Sequence, residues 1–454
     1  MADFYLDYRG SDYNGGGYDA SISGATVNLA SGQYAALTAS GLECVAGTTE
    51  ITSVHGGFTT DMIGNAIQIY GGDNWTFGYY FISGVPDSNT VLVDSSPAST
   101  NAVSGIGKVG GAWLTFRNTK KDNGGTYYPV TGKMVGGDTI YVKGNGEWNP
   151  ETPQYNVQYG YMRKRIGDTN NLIKVIGYNG RPYHKFLGSN LGFYEDNYTH
   201  WENIKFKCVD GDYETSHSVI DGGNWTFVNN CTFCQDGSFG LAVMGHVQNC
   251  YFYNSVPSTS SFGGACIRDV DYNTLIIDNV FENWNGIGVL NSRMGTVENN
   301  IFIADGGTYN TAIHLPGTST SYGRNVKGNT IYNYATGIKL DIDTNETMVG
   351  NLFVGCGTGI WNYGTVTKHQ SRKEKTVDYN AFYNTDTTHY NINSGVNDVY
   401  LTADPFLNSG IGDYTLNNIA GGGKECRGAY TLKNNGYSKA NNYRDIGAFQ
   451  AYDK

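Results

Sequence analysis

Proline is scarce, with nine in 454 residues. Charge is scarce as well: Asp, Glu, Lys and Arg together make 16%, against about 25% in an ordinary soluble protein. A helical bundle or coiled coil draws on Ala, Glu, Lys, Leu and Arg, and that pool is too thin here. Disorder needs high charge and few aromatics, yet aromatics stand at 14%. No run of 18 apolar residues exists, so no segment reads as a membrane-spanning helix, and no membrane partner is expected. The opening residues, MADFYLDYRG, lack the basic and apolar stretches of a secretory signal. The expectation is synthesis in a cytoplasm without export by a signal peptide. With 41 acidic against 30 basic residues the net charge is −11, which argues against a nucleic-acid surface. The densest basic stretch, KHQSRKEK at 368–375, reads as a solvated loop.

Eight cysteines (44, 208, 231, 234, 250, 266, 356 and 426) are irregularly spaced and read as buried thiols. Cys231 and Cys234 form one C-x-x-C. A structural zinc would want a second ligand pair at regular spacing, and none follows.

What the chain has in abundance is 63 glycines, 48 asparagines and 36 tyrosines. The glycines are too irregular for collagen. An all-β protein rich in tight turns remains. From about residue 200 one phrase recurs: ENIKF, NNCTF, QNCYF, DNVFEN, NNIFI, GNTIYN, GNLFV and YNAFYN. Its aligned asparagines are Asn203, Asn230, Asn249, Asn279, Asn300, Asn329, Asn351 and Asn380, about 25 residues apart on average. Between them falls a second phrase: GLAVMG, ACIRDV, GIGVLN, TAIHLP, TGIKLD and TGIWNY. Each period therefore holds at least two short strands separated by turn signals.

Short strands with one apolar face cannot stand alone. Stacked in register at about 4.8 Å, they pair above and below and line up apolar columns inside. Asparagine suits the bends, because it tolerates left-handed backbone angles and bonds locally. The fold class expected is all-β, a parallel β-helix, with a β-sandwich as the weaker alternative.

These asparagine-anchored coils resemble the right-handed parallel β-helix of the pectate-lyase-like superfamily. ADPFLNSGIGDYTLNN at 403–418, followed by RDIGAFQ at 444–450, resembles the closing segment of such proteins. Residues 1–115 carry a Gly/Asp/Tyr loop (DYRGSDYNGGGYD) and strand-like runs such as NAIQIYGGDNWTFGYYFISGV. They resemble N-terminal regions of β-helical proteins encoded by phages. GGDNWTF at 71–77 echoes GGNWTF at 222–227, which suggests equivalent turns. The expected division is an N-terminal β-rich cap with opening coils (1–117), β-helix coils (118–402), and a closing coil with cap (403–454).

Stacking the second phrase puts Leu241, Ile267, Ile287, Ile313, Ile338 and Ile360 inward. Their successors Ala242, Arg268, Gly288, His314, Lys339 and Trp361 then point outward. Arg268, His314, Lys339 and Trp361 would form a stripe suited to an acidic sugar chain, with cations for carboxylates and an indole for a sugar face. A glycoside hydrolase needs paired carboxylates about 5 to 9.5 Å apart. Asp269 and Asp271, with Arg268 beside them and Glu282 on a neighbouring coil, are the candidates if the chain is an enzyme. The polygalacturonase-like hydrolases carry NTD, DD, GHG and RIK motifs. Asn384-Thr385-Asp386 matches the first, but GHG and RIK do not follow. No cofactor is expected, apart from calcium at Asp341/Asp343/Asn345 or Asp210/Asp212/Glu214, where oxygen ligands alternate without completing a calcium-loop pattern.

The resemblance implies a bacteriophage virion protein: a β-helical decoration or spike on the particle surface, contacting capsid or tail proteins and binding glycans. A spike would be a homotrimer. The alternative is a depolymerase, lyase or glycoside hydrolase, acting on bacterial surface polysaccharide.

Overall fold

Short apolar runs punctuated by Asn and Gly fold into short parallel strands joined by bends. The structure is a computed structural model. It describes residues 1–7, 9–11, 13–31, 36–113, 136–144, 147–148, 171–178, 183–187, 193–194, 199–209, 220–221, 226–236, 243–254, 265–269, 274–283, 287–291, 295–304, 311–316, 323–341, 346–363, 376–427 and 446–447. They fall into two units: 1–185 with 190–205, and 186–189 with 206–454.

In the first unit, Asp3–Leu6 pairs in parallel with Thr139–Lys143, which pairs with Ile173–Tyr178, which pairs with Thr199–Glu202. Gly17–Tyr18 closes the free side of Asp3–Leu6 in antiparallel fashion. The segment expected as cap and opening coils thus supplies one coil strand. Most of its other strands form a closed antiparallel barrel of Leu37–Cys44, Glu50–Ser53, Ala66–Asp73, Gly78–Asp87, Thr90–Val93 and Ala102–Val109. Its core is Leu42, Ile51, Ile67, Ile69, Ile82 and Val91, all fully buried. GGDNWTF begins at the end of the barrel strand Ala66–Asp73; of the echoing GGNWTF only Thr226 and Phe227, on a coil strand, are described. Phe4 of the coil strand joins the barrel through Trp113 (stacked, 5.1 Å), Tyr79 (5.5 Å) and Phe81 (6.0 Å). Gly16, at φ +71°, lets the indole in; a Cβ there would lie 2.1 Å from the Trp113 ring.

In the second unit each turn of the chain lays down three strands, and each strand pairs in parallel with its counterpart one turn later. The first ladder runs through Thr226–Asn229, His246–Gln248, Thr274–Ile277, Gly295–Glu298, Arg324–Lys327, Glu346–Val349 and Thr376–Asp378. The second runs through Thr232–Asp236, Tyr251–Asn254, Val280–Glu282, Ile301–Ile303, Thr330–Tyr332, Leu352–Val354, Ala381–Tyr383 and Val399–Tyr400. The third runs through Ile220–Asp221, Val243–Met244, Ala265–Asp269, Ile287–Asn291, Thr311–Leu315, Thr336–Leu340, Thr358–Asn362 and Thr387–Tyr390. This is a parallel β-helix.

Inside, Phe206, Phe233, Phe252, Phe281 and Phe302 stack in one column at 4.5–5.0 Å between successive ring centres. Ile331 interrupts it before Phe353 and Phe382 resume at 5.0 Å.

The corner between the first and second ladders uses two adjacent positions. The first has a left-handed backbone: Asn230, Asn249, Asp278, Asn299, Gly328, Gly350 and Tyr379, with Asn203 alike in the first unit. The second is buried and carries the amide column. The Oδ1 of Asn300 accepts from both N and Nδ2 of Asn279 (2.9 and 3.0 Å), and Asn329, Asn351 and Asn380 repeat this at 2.9–3.1 Å. Each Nδ2 also donates to a main-chain carbonyl, as from Asn329 to Val297. Asn230 and Asn249 therefore stand one residue before the column, correcting the sequence alignment, and Asn203 has the same left-handed backbone in the first unit. The column's members at the levels of Asn230 and Asn249 are Cys231 and Cys250; Cys231 N donates to Cys250 Sγ at 3.4 Å. The left-handed corner also favours asparagine, which is why the sequence phrase drifted by one place.

Of the closing segment, residues 403–427 and 446–447 are described. Phe406–Asn408 and Asp413–Leu416 form an antiparallel pair, followed by the short helix Gly423–Cys426. Phe406, Leu416, Cys426 and Ile446 cover Leu352, Val354 and Ala381 on the outer face of the second ladder. That face is apolar as well as the inner one, so it needs this cover.

The two corner positions predict different mutational costs. Asn329→Ala removes an acceptor and two donated bonds in a buried site and should cost about 2–4 kcal/mol. Asn299→Ala, at the left-handed position, loses chiefly backbone tolerance, about 1 kcal/mol. Urea unfolding midpoints check the contrast; equal losses would contradict the assignment of the two positions.

Candidate functional site

The third ladder aligns side chains that lie far apart in sequence. Its register gives one outward row, Leu290, His314, Lys339, Trp361 and Tyr390, with the backbone of Arg268 in line with Leu290. Adjacent members sit about 4.8 Å apart. Ile267 pairs with Val289, not Ile287, so Leu290 takes the place expected for Gly288. Val243 is the residue that pairs with Ile267. The GIGVLN run has two apolar residues two apart, and composition alone does not choose between them. Leu241 and Ala242 lie outside the described residues.

Three of the four expected stripe residues, His314, Lys339 and Trp361, come together with partners that the sequence did not single out. His314 Nε2 and Asp341 Oδ2 are 2.7 Å apart. Lys339 Nζ lies 3.6 Å from Asp341 Oδ1. The same ammonium sits 5.7 Å from the centre of the Trp361 ring and 5.0 Å from that of Tyr363. Tyr363 and Tyr390 meet the indole edge-on at 5.5 and 6.1 Å. Beside the row, the fully buried pair Arg324–Glu346 closes at 2.6 Å, with Arg324 also donating to the Pro316 carbonyl. Two polar atoms at the site are buried without a hydrogen-bond partner among the described residues: Trp361 Nε1 and Asp341 Oδ1. Asp341 follows Lys339 by two residues on the same strand edge, a spacing visible in TGIKLD. Tyr390 shares the Trp361 register only once the coils are stacked.

The expected catalytic group is placed only by its backbone. Arg268 and Asp269 pair with Leu290 and Asn291 on the third ladder. Their side chains, and all of Asp271, lie outside the described residues. Glu282 is on the second ladder, not beside them. The NTD match is a corner turn: Asn384 has φ +47° and Thr385 Oγ1 faces the carbonyls of Phe353 and Tyr383. Of the two calcium-type loops, Asp343, Asn345 and residues 210–214 lie outside the described residues, as does 368–375. No group of three or more His, Cys, Asp or Glu able to hold a metal occurs among the described residues. Cys231 and Cys234 diverge, one in the corner column and one on the second ladder.

Chemically the described part of the row offers one ammonium, an imidazole, aromatic faces and one carboxylate. Glu346 is engaged by Arg324, and Asp341 by His314 and Lys339. Burial holds the His314 imidazole below its ordinary pKa; Asp341 pulls upward against it, and Lys339 and Arg324 push further down.

A sequence model described as the right-handed β-helix region matches residues 218–382. Among solved structures, the chain is similar to the catalytic domain of a GH87 alpha-1,3-glucanase in complex with tetrasaccharides. Identity there is 11% over 82% of this chain and 93% of that one, with a TM-score of 0.24. It is also similar to the Agl-KA catalytic domain (12%, 88% and 95%, 0.24) and the tailspike protein gp49 from Pseudomonas phage LKA1 (10%, 81% and 65%, 0.16). No curated protein matches by sequence. The fold is a right-handed parallel β-helix.

The His314 shift has a testable sign. An imidazole whose folded pKa is depressed takes up its proton more readily in the unfolded chain. Stability is therefore lost as pH falls below the unfolded value of about 6.5. His314→Gln should flatten the decline in melting temperature between about pH 6.5 and 5 relative to the unsubstituted protein. Parallel curves for the two proteins would contradict the depressed imidazole.

Proposed function

We propose that this chain is a glycan-binding protein whose third ladder holds an anionic sugar chain, displayed as a decoration or spike on a bacteriophage particle. One observation carries the binding part: the Lys339 ammonium lies over Trp361 and Tyr363 beside the Asp341–His314 pair, on one face of a hydrogen-bonded ladder. A sugar carboxylate suits the ammonium, and the apolar face of a pyranose suits the exposed part of an aromatic ring. Asp341 and His314 are positioned for sugar hydroxyls. The row is preorganised by main-chain pairing, so little side-chain freedom is lost on binding. The particle role draws its support from the resemblance of residues 1–115 to phage-encoded proteins. It predicts co-sedimentation with capsid or tail components, and a homotrimer if the chain is a spike.

Retention on gels containing an acidic bacterial polysaccharide tests the binding. The protein should be retarded, and less so as salt rises. Trp361→Ala and Lys339→Ala should each weaken retention about tenfold, corresponding to roughly 1.4 kcal/mol. Retention unchanged in both variants, with their melting temperatures preserved, would remove the row from the binding surface. Release of new reducing ends from the same polysaccharide would turn the reading toward a depolymerase.

A further inference from the structure

In the second unit Glu346 pairs with Arg324, Asp341 with His314 and Lys339, and Asp398 with His389 at 3.1 Å. Glu282 has another kind of neighbour. It is half-buried on the outer face of the second ladder, in the row Tyr253, Glu282, Ile303 and Tyr332. Its neighbour is a phenol: the Tyr251 hydroxyl donates to Oε2. No cation pairs with it among the described residues.

What surrounds this carboxylate is aromatic and apolar. Tyr251 stacks on Tyr253 at 5.4 Å. Tyr332 and Tyr414 meet edge-to-face at 5.3 Å. Burial raises the Tyr414 phenol to about 12, and the charges of Tyr332 and Glu282 add to the rise. Val280 and Ile301 form a buried floor under Tyr251 and Ile303.

A partly desolvated carboxylate without a counter-ion is unfavourable. It has about four acceptor positions, of which, among the described residues, the Tyr251 phenol is seen to fill one. Tyrosine faces attract cations, and most strongly those that shed water easily. An apolar floor disfavours a metal ion or bare ammonium, which hold their hydration, and favours methyl groups. We propose that Glu282, with Tyr251, Tyr253, Tyr332 and Tyr414, forms a second binding site, for a methylated ammonium group of the choline type. This site is on a different ladder from the Lys339–Trp361 row and does not depend on it.

Isothermal titration with choline chloride tests the site, with neohexanol as the neutral isostere and ammonium chloride as the small hydrated cation. Choline should bind saturably, at least tenfold more tightly than either control. Glu282→Gln should lower choline affinity at least tenfold, Tyr253→Ala should lower it several-fold, and Trp361→Ala should leave it unchanged. Phosphocholine run alongside separates a substituent carried on phosphate from the free base, and saturable binding of either sustains the site. Equal binding of choline and neohexanol would reduce the site to an apolar contact. No saturable heat with choline or phosphocholine, or undiminished affinity in Glu282→Gln, would overturn the proposal. The comparison of choline with neohexanol uses the unsubstituted protein, so it decides the question even if a variant fails to fold.

Discussion

The asparagine column at the corner between the first and second ladders is the constraint on which the rest of the second unit depends. A chain that bends sharply every turn leaves main-chain N–H and carbonyl groups without strand partners, and burying them unpaired is costly. The buried amide answers both: Oδ1 accepts from the turn before, and Nδ2 reaches a carbonyl as well as the next amide. Because each member bonds to its neighbour's main chain as well as its side chain, the column fixes rung against rung. A slip of one residue would exchange inner and outer faces on every strand that follows. The outward row of the third ladder exists only because that slip is forbidden.

The ends of the column follow from the same chemistry. Each amide donates to the next, so the last member only needs to accept. Asp398 stands there, accepting from Asn380 N at 2.8 Å, from Gly395 N at 2.7 Å, and pairing with His389. A carboxylate is acceptor-only, whereas an asparagine would carry an N–H₂ with no further rung to receive it. Burial alone would raise the Asp398 pKa, but hydrogen bonds from His389 and the two main-chain N–H groups outweigh it and hold the carboxyl below its ordinary value. At the other end the amides give way to Cys250 and Cys231, whose thiols donate to nearby carbonyls in the same corner.

Much of this was legible in the sequence because a solenoid repeats its solution. The recurring phrase exposed the coils, and alternation exposed the outward row, since His314, Lys339 and Trp361 each follow an inward isoleucine. What escaped was phase. Asn230 and Asn249 look like members of the column because asparagine suits a left-handed corner as well as a buried amide site; alignment on Phe233, Phe252 and Phe281 separates the two roles. Leu290 escaped for a similar reason, as Ile287 and Val289 are equally apolar. The barrel was not legible at all. Its strands alternate as coil strands do, and nothing in periodicity distinguishes closure into a barrel from stacking into a shaft. Asp341 was visible but was read as part of a loop, because its partner His314 lies 27 residues earlier and meets it only through stacking.

The same geometry explains why the row of the third ladder is not written as a compact motif in the sequence. On a ladder, residues that touch are separated by a full turn of chain, so a binding surface is written as one residue per coil. Such a surface can change one position at a time without disturbing the main-chain pairing that carries it. The outer faces of the ladders show the range this allows. The second ladder's outer face is apolar over Leu352, Val354 and Ala381, and the closing segment covers it. The third ladder's outer row places a cation over aromatic rings beside a paired carboxylate. Its charges are matched to one another, which keeps the row folded without a ligand and leaves specificity to whatever can exchange those contacts for equivalent ones.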